Sequence, residues 1–381
     1  MTKNALLLAT LATKQDEVDY LTQCLAYHDV NVRCLDVSLA AGGRTLDGAE
    51  KSAAMQASVE RVWAEVAAAV EDDIHAIVGI GGGTGGEIIL SVLRALPITF
   101  PKVLVTTLPF DPRIALADNS IIIMPTLADI TGLNSTLREV LENTSAMVSG
   151  LCSTQRKGDA CIRVPSVGVT ALGATEAAVK PLIAGLKERG EEPTVFHSNG
   201  YGGAAFTRFA ERGAFHTVID LTPHELTRIE VAGAHVDMPA RFSAASDRPR
   251  IVSPGGLNFI GLGEKSLVPS RYLDRPHYAH SGFFTHVKVD EDEMVHLAKT
   301  LAGHLNALTA LCSLIIPLGG FSHQDRADGP IEDIELRHVF ADVIREALKP
   351  DVAVTCLNEH ISAPAITSKI LETYDDYKRI N

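Results

Sequence analysis

The chain has 381 residues, enough for two or three domains at roughly 150 residues each. Hydrophobic residues make up 46% and charged residues 21%, which excludes a disordered chain. The 34 basic residues against 47 acidic ones give a net charge of −13, which argues against general nucleic-acid binding.

Short apolar runs alternate with amphipathic stretches in the first half of the chain. Strands are predicted at 5–11, 30–36, 74–80 and 102–107, with a further apolar run at 120–124 and helices at 16–27, 56–70, 87–96 and 133–148. This order is typical of a parallel sheet covered by helices on both faces.

The same pattern starts again at residue 166. Strands are predicted at 166–170, 194–197, 216–221, 250–252, 312–317 and 352–357, and helices at 175–189, 204–211, 223–231, 291–308 and 335–348. The predicted fold class is therefore α/β. We expect two Rossmann-like doubly wound parallel-sheet domains, residues 1–160 and 161–381, with a cleft between them and a junction near 150–165, in the polar stretch 153–159.

Two features bear on where the chain works. No run of about 18 apolar residues occurs, so the sequence predicts no membrane span. The six cysteines form no CxxC pair and are scattered, as reduced thiols commonly are. We therefore expect a cytoplasmic protein that has no membrane partner.

The end of the strand predicted at 74–80 is rich in glycine: it has six, at positions 79, 81, 82, 83, 85 and 86. The cofactor-binding candidates here are Gly81, Gly82, Gly83, Thr84, Gly85 and Gly86, together with Thr107 after the next strand. Glycine lets a ligand approach the main chain, and the following helix turns free N–H groups toward the loop. The sequence predicts a phosphate or carboxylate site here. It leaves open that the glycines serve only tight packing of a helix on a strand.

Three further loops of small residues follow predicted strands in the second half. They supply the cofactor-binding candidates Asn199, Gly200, Gly202, Gly203, Ser253, Gly255 and Gly256, and a last loop contains Gly319 and Gly320. Ligands of open α/β sheets bind at the carboxyl ends of strands, so we expect these loops to line one cleft. The loops at 81–86 and 199–203 read as a repeat, each after the third strand of its half, although two unrelated doubly wound domains would look similar.

The sequence does not identify catalytic residues, but four side chains are candidates. Lys14 follows the first strand as a point charge for a phosphate, and Glu225 stands in a helix first turn, where the helix dipole alone explains a carboxylate. Arg275 and His277 lie in a histidine-rich stretch. Ordinary polar surface residues are the alternative for each, and no spacing predicts a metal site.

Long motifs keep their order over almost the whole chain. They include VGIGGGTGGEII, VFHSNGYGG, DLTPHELTRIEVAG, IVSPGGLNFIGLG and IIPLGGFSHQD. In these motifs the sequence resembles uncharacterised protein family 0261, the family of the ATP-binding domain of the tomato mosaic virus resistance protein. The resemblance implies two Rossmann-like domains, a nucleotide in the cleft, and self-association, most simply as a homodimer. ATP is the expected nucleotide, and the sequence leaves open whether it binds with Mg²⁺. It implies no reaction.

Three stretches depart from the family's pattern. The usual TLDTK stands here as residues 10–14 without its aspartate, the usual Met-Arg-Thr stands as residues 287–289 without its arginine, and the usual Ile-Asn-Asp-Pro stands as residues 361–364. The loss of these charges favours binding over catalysis.

Three functions are compatible with the sequence, and whether the chain is an enzyme stays open. The first is an ATP-binding enzyme of phosphoryl or acyl-phosphate transfer on a small molecule, which needs phosphate donors and positive charge. The second is a non-catalytic, nucleotide-dependent regulatory or interaction protein. The third is a nucleotide-independent enzyme acting on a small carboxylate.

Overall fold

The computed structural model describes residues 2–39, 46–154 and 165–380. The chain divides into two compact units, Met1–Ala160 and Cys161–Asn381. Most of the predicted junction at 150–165, including most of the polar stretch 153–159, lies outside the described residues.

The N-terminal unit is a five-stranded parallel sheet covered by helices. Its elements are β1 (Lys3–Ala9), α1 (Leu11–Tyr27), β2 (Val30–Asp36), α2 (Gly48–Asp72), β3 (Ala76–Ile80), α3 (Gly83–Ala95), β4 (Lys102–Thr106), α4 (Pro112–Leu116), β5 (Ile122–Pro125) and α5 (Ser135–Cys152). The strand order is β2-β1-β3-β4-β5, and all pairs are parallel.

Strand β1 shows why the centre of this sheet is apolar. Leu7 belongs to the core beneath α1 and α5, whereas Leu6 and Leu8 belong to the core beneath α2 and α3. Successive side chains of a strand point to opposite faces, and here both faces are covered, so all five residues from Ala5 to Ala9 are buried.

The strand order creates a switch point between β1 and β3. The chain leaves β1 into α1 on one face of the sheet and leaves β3 into α3 on the other. A crevice opens at the carboxyl ends of two such strands, and this is where doubly wound proteins bind ligands.

The C-terminal unit contains a six-stranded parallel sheet of the same kind. Its elements are β6 (Ser166–Ala171), α6 (Glu176–Glu188), β7 (Thr194–His197), α7 (Gly202–Glu211), β8 (Phe215–Asp220), α8 (Glu225–Glu230), β9 (Arg250–Val252), β10 (Phe259–Leu262), α9 (Ser270–Leu273), β11 (His277–Ser281), β12 (Phe284–Lys288), α10 (Glu291–Asn306), β13 (Cys312–Pro317), α11 (Ile334–Ala347), β14 (Val352–Leu357) and α12 (Pro364–Ile380). The parallel strands run β14-β13-β9-β8-β6-β7, with the switch point between β6 and β8. The predicted α/β class and doubly wound sheets are confirmed.

Two features of this unit differ from the sequence-based expectation. A three-stranded antiparallel sheet, β10-β12-β11, is inserted between β9 and β13 and was not predicted. The loop at 199–203 follows β7, which is the second strand of its unit and an edge strand. The predicted equivalence of this loop with the one at 81–86 is therefore wrong, since the latter follows the third strand, at the switch point.

Candidate functional site

Part of the glycine loop after β3 serves packing. A Cβ atom on Gly81 would lie 2.6 Å from the Gly86 nitrogen, and one on Gly85 would lie 2.8 Å from the Thr10 methyl carbon. Both distances are too short for any real Cβ, so these two positions need glycine to hold α3 against the ends of β3 and β1.

Gly82 and Gly83 have a different environment. The nearest atom to a Cβ on Gly82 would be the Thr107 hydroxyl oxygen at 3.9 Å, and nothing lies within 4 Å of a Cβ on Gly83. Packing therefore does not require glycine at either position. Packing thus explains Gly81 and Gly85 but not Gly82 and Gly83, for which a part in anion binding stays a prediction.

The first turn of α3 has unused hydrogen-bond donors. The first helical bond runs from the Gly86 N–H to the Gly82 carbonyl at 2.7 Å, so the N–H groups of Gly83, Thr84 and Gly85 have no acceptor inside the helix. The N-cap residue, Gly82, has no side chain to satisfy them. The positive end of the helix dipole is thus uncapped at the switch point.

A buried hydroxyl lies beside the same loop. Thr106, the last residue of β4, is fully buried, and its Oγ1 atom has no hydrogen-bond partner among the described residues. This oxygen would be 3.4 Å from a Cβ on Gly86. Leu108, two residues later, has φ of +53°, a conformation that is strained for a leucine. Strain and an unsatisfied hydroxyl at one sheet edge are typical of a functional site.

The neighbouring helix terminus, that of α1, is already capped. Asp36 at the end of β2 accepts a hydrogen bond from the Leu11 N–H at 3.1 Å, and the Ser38 hydroxyl accepts one from the Ala12 N–H at 3.3 Å. Burial raises the pKa of Asp36, but hydrogen bonds from Ser38 and Leu11 outweigh it and lower that pKa below its usual value. Of the two helices that leave the switch point, only α3 presents free donors to an anion.

Lys14 lies in the same region. Its N–H donates to the Thr10 carbonyl at 3.0 Å, and Thr10 contacts the glycine loop through Gly85. Its backbone, with φ of −132° and ψ of 23°, interrupts α1. Its ammonium group has no hydrogen bond or ion pair with another residue of the described ranges.

The loop at 199–203 is closed by its own residues. The Asn199 side-chain oxygen accepts hydrogen bonds from the Tyr201 and Gly202 N–H groups, at 3.0 and 3.1 Å. Gly200 has φ of +90°, and a Cβ on Gly203 would lie 2.7 Å from the Met238 sulfur. Conformation and packing therefore account for these residues, and a part in ligand binding stays a prediction.

The loops after β9 and β13 pack on each other. The Gly256 N–H donates to the Phe321 carbonyl at 3.0 Å, and a Cβ on Gly255 would lie 2.3 Å from the Leu221 carbonyl oxygen. The Ser253 hydroxyl is buried and has no partner among the described residues. The structure thus brings these predicted residues together at the carboxyl edge of the C-terminal sheet.

Glu225 belongs to a buried ionic cluster that the sequence did not reveal. Arg241 donates to Glu225 at 3.0 Å and to both carboxylate oxygens of Asp220, at 2.9 and 3.0 Å, and all three residues are buried. Burial raises the pKa of Glu225, although Arg241 opposes the shift. In the sequence, Asp220 is only an acidic residue at the end of an apolar strand, and Arg241 is only an arginine in a loop. Neither pattern indicates that the two residues pair.

Arg275 and His277 lie elsewhere in the C-terminal unit. Arg275 forms ion pairs with Asp290 at 2.7 Å and Glu293 at 2.6 Å, at the start of α10. The His277 Nδ1 atom lies 2.8 Å from the Arg275 carbonyl oxygen. Arg275 therefore holds the start of a helix, and its positive charge is already neutralised.

No group of three or more His, Cys, Asp or Glu side chains within 2–39, 46–154 and 165–380 could hold a metal ion. In the same ranges, no helix is both long and apolar enough to cross a bilayer.

The fold and this site define a doubly wound α/β protein whose N-terminal sheet presents one open helix terminus. The model of the Uncharacterised protein family (UPF0261) C-terminal domain matches residues 164–377, and that of the N-terminal domain matches residues 41–157. The chain belongs to this family, and the resemblance found in the sequence is confirmed.

Relatives extend over most of the chain. A UPF0261 protein of Mesorhizobium japonicum is 29% identical and covers 98% of this chain and 99% of its own length. The ToMV resistance protein Tm-1 of Solanum lycopersicum is 27% identical over 67% of this chain and 35% of its own length. Among solved structures, Acinetobacter baumannii MurG has 12% identity, covers 99% of this chain and 92% of its own, and has a TM-score of 0.23, too low to support an argument.

Proposed function

We propose that this chain is a nucleotide-binding protein and that the start of α3 binds the nucleotide's phosphates. The observation that carries the proposal is the open space at Gly82 and Gly83, directly in front of three unused N–H donors. A helix N-terminus of this form binds phosphate through its N–H groups and its dipole. The donors belong to the backbone, so the acidic net charge of the chain does not prevent binding.

The surrounding residues fit a phosphate group. The buried Thr106 hydroxyl lacks a partner beside the loop, and Thr107 is next to the open space at Gly82. Lys14 supplies a cation that no described carboxylate neutralises. Because Asp36 already caps α1, the phosphates have one favourable position at this switch point, the α3 side.

ATP is the nucleotide that the family resemblance favours, and transfer of a phosphoryl or acyl-phosphate group to a small molecule is the reaction we propose for it. Such transfer depends mainly on positioning and electrostatic stabilisation, which backbone donors and a lysine provide. Lys14 is the residue for which we propose the electrostatic role.

We also propose that the protein acts in the cytoplasm as a homo-oligomer, most simply a symmetric dimer. The scattered cysteines support the compartment, and the family resemblance supports self-association. Light scattering at micromolar protein concentration tests self-association, because a measured mass equal to that of one chain contradicts it.

Calorimetric titration of ATP and ADP into wild type and Gly82→Asp tests the site. The added carboxylate lies where the phosphates bind, and two charges about 4 Å apart repel by roughly 4 kcal/mol at an effective dielectric constant near 20. One third of that energy weakens binding about tenfold. Circular dichroism verifies that the variant is folded.

Gly48→Asp is the matched control. Gly48 is exposed at the start of α2 in the same unit, a Cβ there meets nothing within 4 Å, and Asp47 and Glu50 already cap that helix. We expect Gly48→Asp to bind ATP like wild type. If wild type binds neither nucleotide, the nucleotide proposal is wrong. If Gly82→Asp binds as tightly as Gly48→Asp, the site is wrong.

A further inference from the structure

The hairpin formed by β11 and β12 exposes two adjacent aromatic rings. Phe283 and Phe284 lie at its turn, and they are 76% and 49% exposed. We call residues 277–284 the hairpin surface, because the first two are half-buried and the other six are exposed. Aromatic residues are enriched where proteins bind one another, so two neighbouring exposed rings indicate a surface that another molecule covers.

The hairpin holds these rings in a fixed place. Thr285, His286 and Val287 of β12 are buried, so the strand is anchored directly behind the turn. The Phe283 N–H donates to the Ser281 hydroxyl oxygen at 3.2 Å, which closes the turn itself. The rings therefore project from an ordered support, and little conformational entropy is lost when they are covered.

The hairpin surface lies in a stretch of sequence without formal charge. Residues 276–287 contain no Asp, Glu, Lys or Arg, although 21% of the chain is charged and twelve residues would be expected to include two or three. The same stretch contains one tyrosine and two phenylalanines. Depletion of Lys, Glu and Asp together with aromatic enrichment is the composition of the core of a protein–protein interface.

The outer edge of β11 adds backbone groups to this surface. β11 is an edge strand of the small sheet, and the Lys288 N–H donates to the Pro276 carbonyl at 2.9 Å. Hydrogen-bonded pairs alternate along an antiparallel ladder, so His277 and Ala279 direct their backbone groups away from β12. The register shifts between Ala279 and Ser281, which keeps the regular edge short. The aromatic rings must therefore supply most of any contact.

Charge favours a second copy of this chain as the molecule that covers the surface. Two copies with a net charge of −13 each repel one another, and an uncharged surface is where their approach costs least. A second copy also brings the same exposed rings, so apolar surface meets apolar surface in a symmetric contact.

A membrane is the less favourable partner. Aromatic side chains that enter an anionic membrane are usually accompanied by free cations. The cations that flank the hairpin in sequence are neutralised, because Arg275 pairs with Asp290 and Glu293, and Lys288 Nζ lies 2.5 Å from an Asp333 oxygen. The hairpin therefore offers aromatic rings without the positive charge that anionic lipids attract.

We propose that two copies of this chain associate through the hairpin surface, with Phe283 and Phe284 of each copy packed against the same surface of the other around a two-fold axis. This inference rests on the proposed self-association and names the surface through which the copies meet. It does not depend on the nucleotide site, because all of its residues belong to the C-terminal unit.

Sedimentation equilibrium on the full chain tests the surface with one variant. In a two-fold contact each substitution acts twice, so Phe283→Asp removes two rings and brings two like charges together. We expect the dissociation constant of the dimer to rise at least about tenfold. Circular dichroism verifies that the variant is folded.

Tyr27→Asp is the matched control. Tyr27 ends α1 in the other unit and is 85% exposed, so its substitution also replaces an exposed ring by a carboxylate. We expect this variant to associate like wild type. Equal weakening in the two variants would reflect net charge alone and would overturn the proposal.

Two measurements on wild type need no variant. The dissociation constant should fall as salt is raised from about 0.05 M to about 0.5 M, because salt screens the repulsion between acidic chains and the contact contains no ion pair. Hydrogen exchange at the backbone N–H groups of residues 277–284 should slow as the protein concentration is raised through the dissociation constant.

The outcomes separate this surface from self-association itself. If wild type is a dimer but Phe283→Asp associates equally well, if salt weakens the dimer, or if exchange at 277–284 is independent of concentration, the surface is wrong and self-association stands. If wild type is a monomer at every concentration, both are wrong. If Phe283→Asp leaves association unchanged but abolishes sedimentation with phosphatidylcholine–phosphatidylserine vesicles, the hairpin binds membranes and the proposal is overturned.

Discussion

Glu191 provides a stability test whose size follows from its contacts. This residue lies in the turn before β7, and its side chain is 11% exposed. One oxygen accepts hydrogen bonds from Tyr374 at 2.5 Å and Lys378 at 2.6 Å, both in α12, and the other lies 3.0 Å from His216 Nε2. Glu191 therefore joins the last helix, α12, to β8 of the C-terminal sheet.

We expect Glu191→Gln to lower the free energy of unfolding by about 2 kcal/mol near neutral pH. Burial raises the pKa of Glu191, but hydrogen bonds from Lys378, Tyr374 and His216 outweigh it and lower the pKa from 4.5 to about 2. At about 1.4 kcal/mol for each tenfold change in acidity, this corresponds to about 3 kcal/mol. We reduce the figure to about 2 kcal/mol because the Lys378 side chain is 54% exposed and partly screened.

The effect depends on pH in a fixed direction. The folded-state pKa lies below the unfolded-state value, so the stabilisation is complete above about 4.5 and is lost as the pH falls towards about 2. Urea unfolding followed by circular dichroism should show a difference between wild type and Glu191→Gln of about 2 kcal/mol near pH 7, falling below about 1 kcal/mol near pH 3.

Glu192→Gln is the control for the same assay. Glu192 is the exposed neighbour of Glu191, and we expect its substitution to change stability by less than about 0.5 kcal/mol. Equal losses in the two variants, or a loss in Glu191→Gln that does not diminish in acid, would refute the assigned role of these hydrogen bonds.

Two further predictions concern stability and use the same unfolding assay. Gly81→Ala should lower the free energy of unfolding by about 1–3 kcal/mol because the new Cβ meets backbone atoms. Gly83→Ala should raise it by up to about 1 kcal/mol because alanine favours the helix and meets no other atom. Similar effects at both positions would contradict the division of the loop into packing and open glycines. Asp325→Asn should cost about 3 kcal/mol because it removes the nearer counterion of the buried Arg337, at 2.8 Å, and leaves the more distant and more exposed Glu332 at 3.7 Å. The substitution of the exposed Asp328 by Asn should cost little.

The main architecture could be predicted because each strand and each covering helix has its own local pattern of apolar residues. Apolar runs that alternate with amphipathic stretches identify buried parallel strands and their covering helices, and both doubly wound sheets follow from them. The pairing of strands in the small antiparallel sheet leaves a weaker pattern in the sequence. Strands β10, β11 and β12 have four or five residues each, and β11 is rich in polar side chains, so they do not stand out as a sheet.

The candidate site shows a similar division. The sequence identified the loop at 81–86, but it did not separate Gly81 from Gly83, because the atoms that crowd Gly81 come close only when the first turn of α3 has formed. The capping of α1 depends on Asp36, which is distant in sequence from Leu11. Arg228 and Glu225 read as ordinary charges of a short helix, because burial by the loop after β7 and by β10 has no local signal.

Because Asp36 caps α1, the electrostatic potential of the N-terminal crevice differs between its two sides. One wall ends in the donors of α3, and the other ends in a carboxylate held against α1. At the proposed site, we therefore expect a molecule with a single anionic end and a hydroxyl-bearing body to bind with the body towards β2. A molecule that is negatively charged at both ends meets repulsion whichever way it enters. For the proposed site, we therefore expect the charge distribution of an elongated ligand to decide its orientation.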